Sequence, residues 1–227
     1  MNRAFRIAAV LTAVLLSYAL YEALVVAPTD QLQGDVYRII YYHVPSAWTM
    51  FVFFALNFVS SVFYLFRRNQ KADAVAVAAA EVGVVFCTVV LVTGPLWARP
   101  VWGIWWTWDV RLTSTLVLWL IYVSYLLLRR FSSGSGQAPV LAAALAIFGA
   151  LDMPFVYFSI WFFRTQHPQP VIGGGGSIDP RMWHVWLINW AAFQCFGLLV
   201  FWSRYGLEIL QRAVEDAHAV GEVHNLR

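Results

Sequence analysis

The chain has 227 residues, 61% of them hydrophobic and only 12% charged, with a net charge of +3. A soluble domain is roughly 45–50% apolar and 25% charged, so a water-soluble globular fold is excluded, and the slight positive balance supplies no basic patch for nucleic acid. Residues 1–227 read as a single integral membrane domain, all-α, with little length left for a soluble module.

Six apolar stretches, near 5–26, 44–66, 74–97, 112–128, 138–160 and 183–203, approach the roughly 20 residues a helix needs to cross a bilayer. They predict a polytopic bundle of six transmembrane helices. The first follows Arg3 and Arg6 as a signal peptide would, but its apolar run is too long and no small-residue cleavage site follows, so it reads as a retained span. Glu22 stands near its end, where it can reach the interface. The connection PTDQLQGDVYR leads into RIIYYHVPSAW, which sets His43 at the mouth of span 2. Span 3 follows RRNQKAD and carries Glu81 and Cys87. With no C-x-x-C pair in the chain, Cys87 and Cys195 read as small buried apolar residues. WGIWWTWDVRL, residues 102–112, then places Trp102, Trp105, Trp106, Trp108 and Asp109 in the loop between spans 3 and 4. Past RRFSSGSGQ, span 5 holds Asp152 and Pro154. Glu81 and Asp152 lie deep enough to need partners, expected among hydroxyls or freed backbone groups. HPQPVIGGGGSIDPR brings His167, and MWHVW brings His184 at the start of span 6. The tail 206–227, with His218 and His224, reads as an amphipathic or frayed helix without assigned chemistry.

Lys and Arg concentrate in the cytoplasmic loops of membrane proteins. In this six-span order Arg38, Arg99, Arg111, Arg164 and Arg181 fall on one side, and the other ten of the 15 basic residues fall opposite. Both termini are therefore expected in the cytoplasm. His43, the tryptophan segment, His167 and His184 then share the outer side, which excludes His218 and His224 from any joint site.

Tryptophans form interfacial belts in many membrane proteins, but belts are scattered and these indoles are concentrated in one short loop, as a stacking platform for a flat ligand would be. His43 or His167 alone reads as a capping or interfacial histidine. Together, beside that aromatic surface, they suggest axial imidazoles for a planar iron porphyrin. A porphyrin with propionates also wants cations, and Arg38, Arg99 and Arg111 are the candidates. Salt bridges to Asp35 or Asp109, or lipid headgroup contacts, are the plainer use of the same residues.

From about Asp30 to Pro180 the chain resembles the haem exporter protein C family (CcmC) of the bacterial cytochrome c maturation system. The likeness is carried by YRIIYYHVPSAW, LVTGPLWARPVWGIWWTWDVRLTS, YFSIWFFRTQHPQ and SIDP. In larger relatives with the tryptophan motif a proline commonly follows its aspartate; here Val110 and Arg111 follow. The resemblance implies that His43 and His167 are the axial ligands of haem b. It also implies that Trp102, Trp105, Trp106, Trp108 and Asp109 lie along the haem edge and help present it to the periplasmic chaperone CcmE. Arg111, whose motif position matches, is favoured for a propionate. Further implied partners are the small membrane subunit CcmD and the ATP-binding transporter CcmAB, in the bacterial inner membrane, with haem binding and transfer rather than enzymatic turnover as the role. The GGGGS stretch, residues 173–177, departs from the family pattern and bears on how the outer loop closes. His184 is the rival second ligand, with no matching family motif.

Two other classes are open to the same composition. A b-type electron-transfer cytochrome would place histidine pairs deep in facing helices, and the sequence offers none. A small-molecule permease would want broken helices near the midplane, for which Asp152-Met153-Pro154 is the sole hint. No G-x-x-x-x-G-K-[ST] occurs, so any ATP dependence comes from a partner.

Overall fold

The structure is a computed structural model that describes residues 3–132, 136–168 and 178–225. The GGGGS stretch and the side chain of His224 lie outside the described residues. Helix α1 (Arg3–Tyr21) continues into a π-helical turn, Glu22–Val26, and a 3-10 turn, Asp35–Ile39, runs into α2 (Ile40–Arg67). Then come α3 (Gln70–Trp102), α4 (Val110–Phe131), α5 (Ala138–Phe162) and α6 (Pro180–Asn225). All six are long and apolar enough to cross a membrane, and the described residues contain no strand. Large apolar side chains such as Leu11, Phe148 and Leu198 are more than half exposed around the perimeter. That surface suits lipid, since an apolar side chain in hydrocarbon loses nothing by lying outside the protein core.

Small residues set how closely the helices approach. α2 packs most extensively on α3, whose alanines at 76 and 78–80 are buried, and Asn57 Nδ2 reaches across to the Ala76 carbonyl at 2.8 Å. Gly83 accepts the Phe54 ring so closely that a Cβ there would sit 2.4 Å from it, and Gly197 does the same for Phe53 at 2.6 Å. Phe54 in turn stacks on Tyr122 of α4, with centroids 3.7 Å apart and planes within 7°. Phe5 of α1 meets Trp202 of α6 at 5.5 Å, so the start of the first helix packs against the middle of the last.

Charge is held at that same end. Asp73, 2% exposed, accepts from Arg129 at 2.7 and 3.0 Å and from Arg212 at 2.6 Å. Arg212 also pairs with Glu208. Glu81 forms a two-pronged pair with Arg204 at 2.6 and 2.7 Å, so its partner is a cation rather than the expected hydroxyl or backbone group. Asp152 finds no such relief: its Oδ2 is buried without a hydrogen-bond partner. Two other expectations are corrected. Glu22 does not reach for the interface but is buried at 8% exposure in the π-helical turn. Cys87 is buried as expected, whereas Cys195 is exposed on the helix surface. The tail is a helix, one of the two forms expected for it: α6 runs on to Asn225, and its Arg212 ties it to the start of α3.

Candidate functional site

The tryptophan segment is a helix end, a loop and a helix start. α3 does not stop near residue 97 but carries through Pro100 to Trp102. It ends because Gly103 takes a left-handed conformation, φ +80°, and closes a hydrogen bond from its N–H to the Arg99 carbonyl at 3.0 Å, the usual glycine stop. Asp109 starts α4: its carboxylate accepts from Leu112 N at 3.0 Å, from Thr107 Oγ1 at 2.8 Å and from Gln166 N at 3.4 Å. The motif aspartate is thus an N-cap that also ties the tryptophan loop to the segment carrying His167.

The indoles divide by direction. Trp102 and Trp106 line a cavity enclosed by α2, α3, α4 and α5. Trp105 and Trp108 are 56% and 77% exposed and lie outside its lining, so the expected continuous shelf is two rings inward and two outward. Trp102 meets Trp97 edge-on, with centroids 4.8 Å apart, and Trp97 Nε1 donates to Gln33 Oε1 at 2.8 Å. Gln33 is held by an Asp30 turn, in which Asp30 Oδ1 accepts from the backbone N–H groups of Leu32 and Gln33. The connection between α1 and α2 therefore closes over the one between α3 and α4.

His43, in the first turn of α2, and His167, after α5, both line the cavity, and their ring centroids are 6.5 Å apart with 32° between planes. Their tautomers follow from their neighbours. Thr93 Oγ1 donates to the Val89 carbonyl at 2.7 Å, as helical threonines do, so toward His43 it accepts, and the His43 Nδ1–H donates across 2.8 Å. His167 Nδ1–H donates to the Pro168 carbonyl at 2.9 Å. Each Nε2 keeps its lone pair, the condition for binding a metal ion. Burial and the nearby Arg111 cation push the His167 pKa down from 6.5 to about 3, so this imidazole is neutral at pH 7. Gly94 stands against His43, where a Cβ would sit 3.6 Å from its Cε1.

These features fit a haem. Two imidazoles opposed across one metal, each bonded at about 2 Å, have ring centres roughly 6 Å apart, close to the spacing seen. Arg111 lines the same cavity, and its Nη1 is buried without a hydrogen-bond partner among the described residues, a donor that a carboxylate could accept from. Trp106 Nε1 is likewise buried and unpaired. Arg38 is committed elsewhere: it pairs with Asp35 at 3.0 Å and donates to the Ala23 carbonyl at 2.8 Å. Arg99 donates to the Gly103 carbonyl. Of the three cations expected for propionates, the cavity takes only Arg111. His184 is exposed at the start of α6 and is not part of the lining. Sequence reasoning missed Thr93, Trp97 and Tyr157. The first two fall within the quoted LVTGPLW stretch and the third within YFSIWFF, but nothing in one-dimensional spacing singles them out.

The family model described as "Heme exporter protein C" matches residues 1–220. The chain is 37% identical to the "Heme exporter protein C" of Bradyrhizobium diazoefficiens over 90% of this chain and 78% of that protein. It is 36% identical to a "putative cytochrome c biosynthesis ccmC-like mitochondrial protein" of Marchantia polymorpha, over 74% of this chain and 72% of the relative. With the "Heme exporter protein C" of Escherichia coli K12 it shares 38% identity over 69% of this chain and 63% of that protein.

Proposed function

The chain belongs to the haem exporter protein C family, and from that membership we propose that it holds haem b between His43 and His167 on the periplasmic side of the inner membrane and passes it to the chaperone CcmE. The observation that carries this reading is the pair of imidazole rings, one from the first turn of α2 and one from the segment after α5, 6.5 Å apart at the wall of one cavity. Arg111 meets a propionate. Trp102 and Trp106 pack against the macrocycle, and Trp105 and Trp108 form the outer face that receives the chaperone. Asp109 acts on hand-over as a positioning residue, because its carboxylate is already engaged within the chain. CcmD and the ATP-binding transporter CcmAB are the membrane partners. The whole chain serves as one haem-handling unit rather than as an enzyme.

Protein purified with haem is expected to give a Soret band and, on reduction, the paired sharp bands of a bis-imidazole haem; a spectrum without them overturns the ligation. In the same preparation Trp105→Ala with Trp108→Ala should leave haem content intact and lower the yield of haem-loaded CcmE. Wild-type loading by this double variant would remove the outward indoles from hand-over.

Both termini are proposed to be cytoplasmic. A cysteine at Leu32, 96% exposed, in a background lacking Cys87 and Cys195, is then expected to react with a membrane-impermeant thiol reagent in intact spheroplasts. One at Phe131, 79% exposed at the end of α4, should react only after lysis. The reverse pattern inverts the topology and moves the site to the cytoplasm.

A further inference from the structure

A second apolar depression lies on the outside of the bundle, between α2 and α5. On α2 it is lined by Trp48, Phe51, Ala55 and Phe58, a stripe at helical spacing that covers about 15 Å along the axis at 1.5 Å per residue. α5 contributes Leu151, Pro154 and Phe158, and no charged side chain enters the lining. Trp48, Phe51 and Tyr157 line both this groove and the histidine cavity. Tyr157 meets Trp48 at 6.1 Å and Phe51 at 6.4 Å, both edge-on. These three aromatic side chains thus form a wall common to the groove and the cavity. Its α2 stripe begins one turn past His43 and ends at Phe58, 18 residues beyond the helix start at Ile40, a depth of roughly 27 Å.

The geometry points to this groove as a lateral entrance through which haem passes from the lipid phase into the cavity between α2 and α5. The inference rests on the reading of that cavity as a haem site. A porphyrin is a flat apolar plate with carboxylates on one edge. Sliding between two helices from the hydrocarbon keeps the plate out of water and leads its carboxylate edge toward Arg111 and the outer surface. Rotation of Trp48, Phe51 and Tyr157 opens the path without breaking a side-chain hydrogen bond among the described residues. Pro154, which cannot donate to the carbonyl of Ala150, lies in the groove wall.

Ala55 and Phe58 line the groove but not the cavity, so they test entry apart from binding. Apoprotein in lipid nanodiscs would be mixed with haem b already dissolved in vesicles of the same lipid, and the Soret band followed with time. Ala55→Trp should reach the same final amplitude as wild type but about tenfold more slowly, the effect of a barrier raised by about 1.4 kcal/mol. Phe58→Ala should take up haem faster, and Val14→Trp, on the exposed face of α1, should match wild type. Wild-type rates in both Ala55→Trp and Phe58→Ala would overturn the lateral entrance while leaving the haem site standing. If Ala55→Trp fails to fold, an unchanged rate in Phe58→Ala alone overturns it. Absence of the Soret band in wild type would instead remove the haem site itself.

Discussion

His43→Ala and His167→Ala are each expected to abolish the bis-imidazole spectrum, and His184→Ala to leave it unchanged. Each of the first two removes a neutral imidazole whose Nδ1–H is already engaged and whose Nε2 faces no competing proton donor among the described hydrogen bonds. Losing even the outer partner of a metal-ligating histidine costs roughly 10–100-fold in affinity, so loss of the ligand itself should exceed that. Thr93→Val supplies the intermediate step. It keeps the shape of the side chain and both histidines, but removes the acceptor that holds the His43 ring and its tautomer. Haem affinity should fall by about one to two decades, and Thr93→Ser should restore it. Titration of apoprotein with haem measures the series, and added imidazole should rescue the two alanine variants but not alter Thr93→Val in the same way. Loss of the spectrum in His184→Ala with retention in His167→Ala would reassign the second ligand.

The largest stability effect is expected at the opposite end, from Asp73→Ala. Asp73, Arg129, Arg212 and Glu208 form a group of two carboxylates and two guanidiniums, with Asp73 at 3% and Arg129 at 15% side-chain exposure. Removing the central carboxylate leaves Arg129 buried without its counter-ion, and breaking a buried pair in this way costs about 3–5 kcal/mol. The same variant also loosens the tail of α6 from the start of α3, because Arg212 loses its Asp73 contact there and keeps its bonds to Gln70. Cys87, buried in the core, offers the readout: in a Cys195→Ser background, labelling of its thiol on heating reports unfolding, and the midpoint should drop. Replacing the whole group by leucines should cost far less than the single change, since no uncompensated charge remains. A midpoint equal to wild type for Asp73→Ala would show that the pairing contributes nothing. Haem bound by the protein that remains folded should be spectrally normal, because the histidines lie at the far end of the bundle.

How much of this was legible follows from what each feature depends on. The six spans were readable because crossing hydrocarbon demands a long apolar run whatever the neighbours are. Their ends were not: an apolar window measures the hydrocarbon crossing, whereas the backbone of α3 continues through Pro100 until Gly103 turns left-handed. The pairing of Glu81 with Arg204 joins residues 123 positions apart, and no periodicity links them. Among Arg38, Arg99 and Arg111 the sequence favoured Arg111 on its motif position alone, and it is the cavity lining and the hydrogen bonds of the other two that separate them.

By itself the sequence determined that the chain is a membrane protein of six helical spans, that its unusual chemistry gathers on one side, and which histidines and indoles belong to the family motifs. Composition and span parity suffice for the first two, because solvent and chain order act on every residue alike; the motif residues rest on the family resemblance. The tertiary structure alone decided that Trp102 and Trp106 turn inward while Trp105 and Trp108 turn out, that Thr93 sets the His43 tautomer, and that Asp109 joins the tryptophan loop to Gln166. Those outcomes depend on which side chains meet across helices 50 or more residues apart in sequence, and such meetings are set by packing in three dimensions rather than by spacing along the chain.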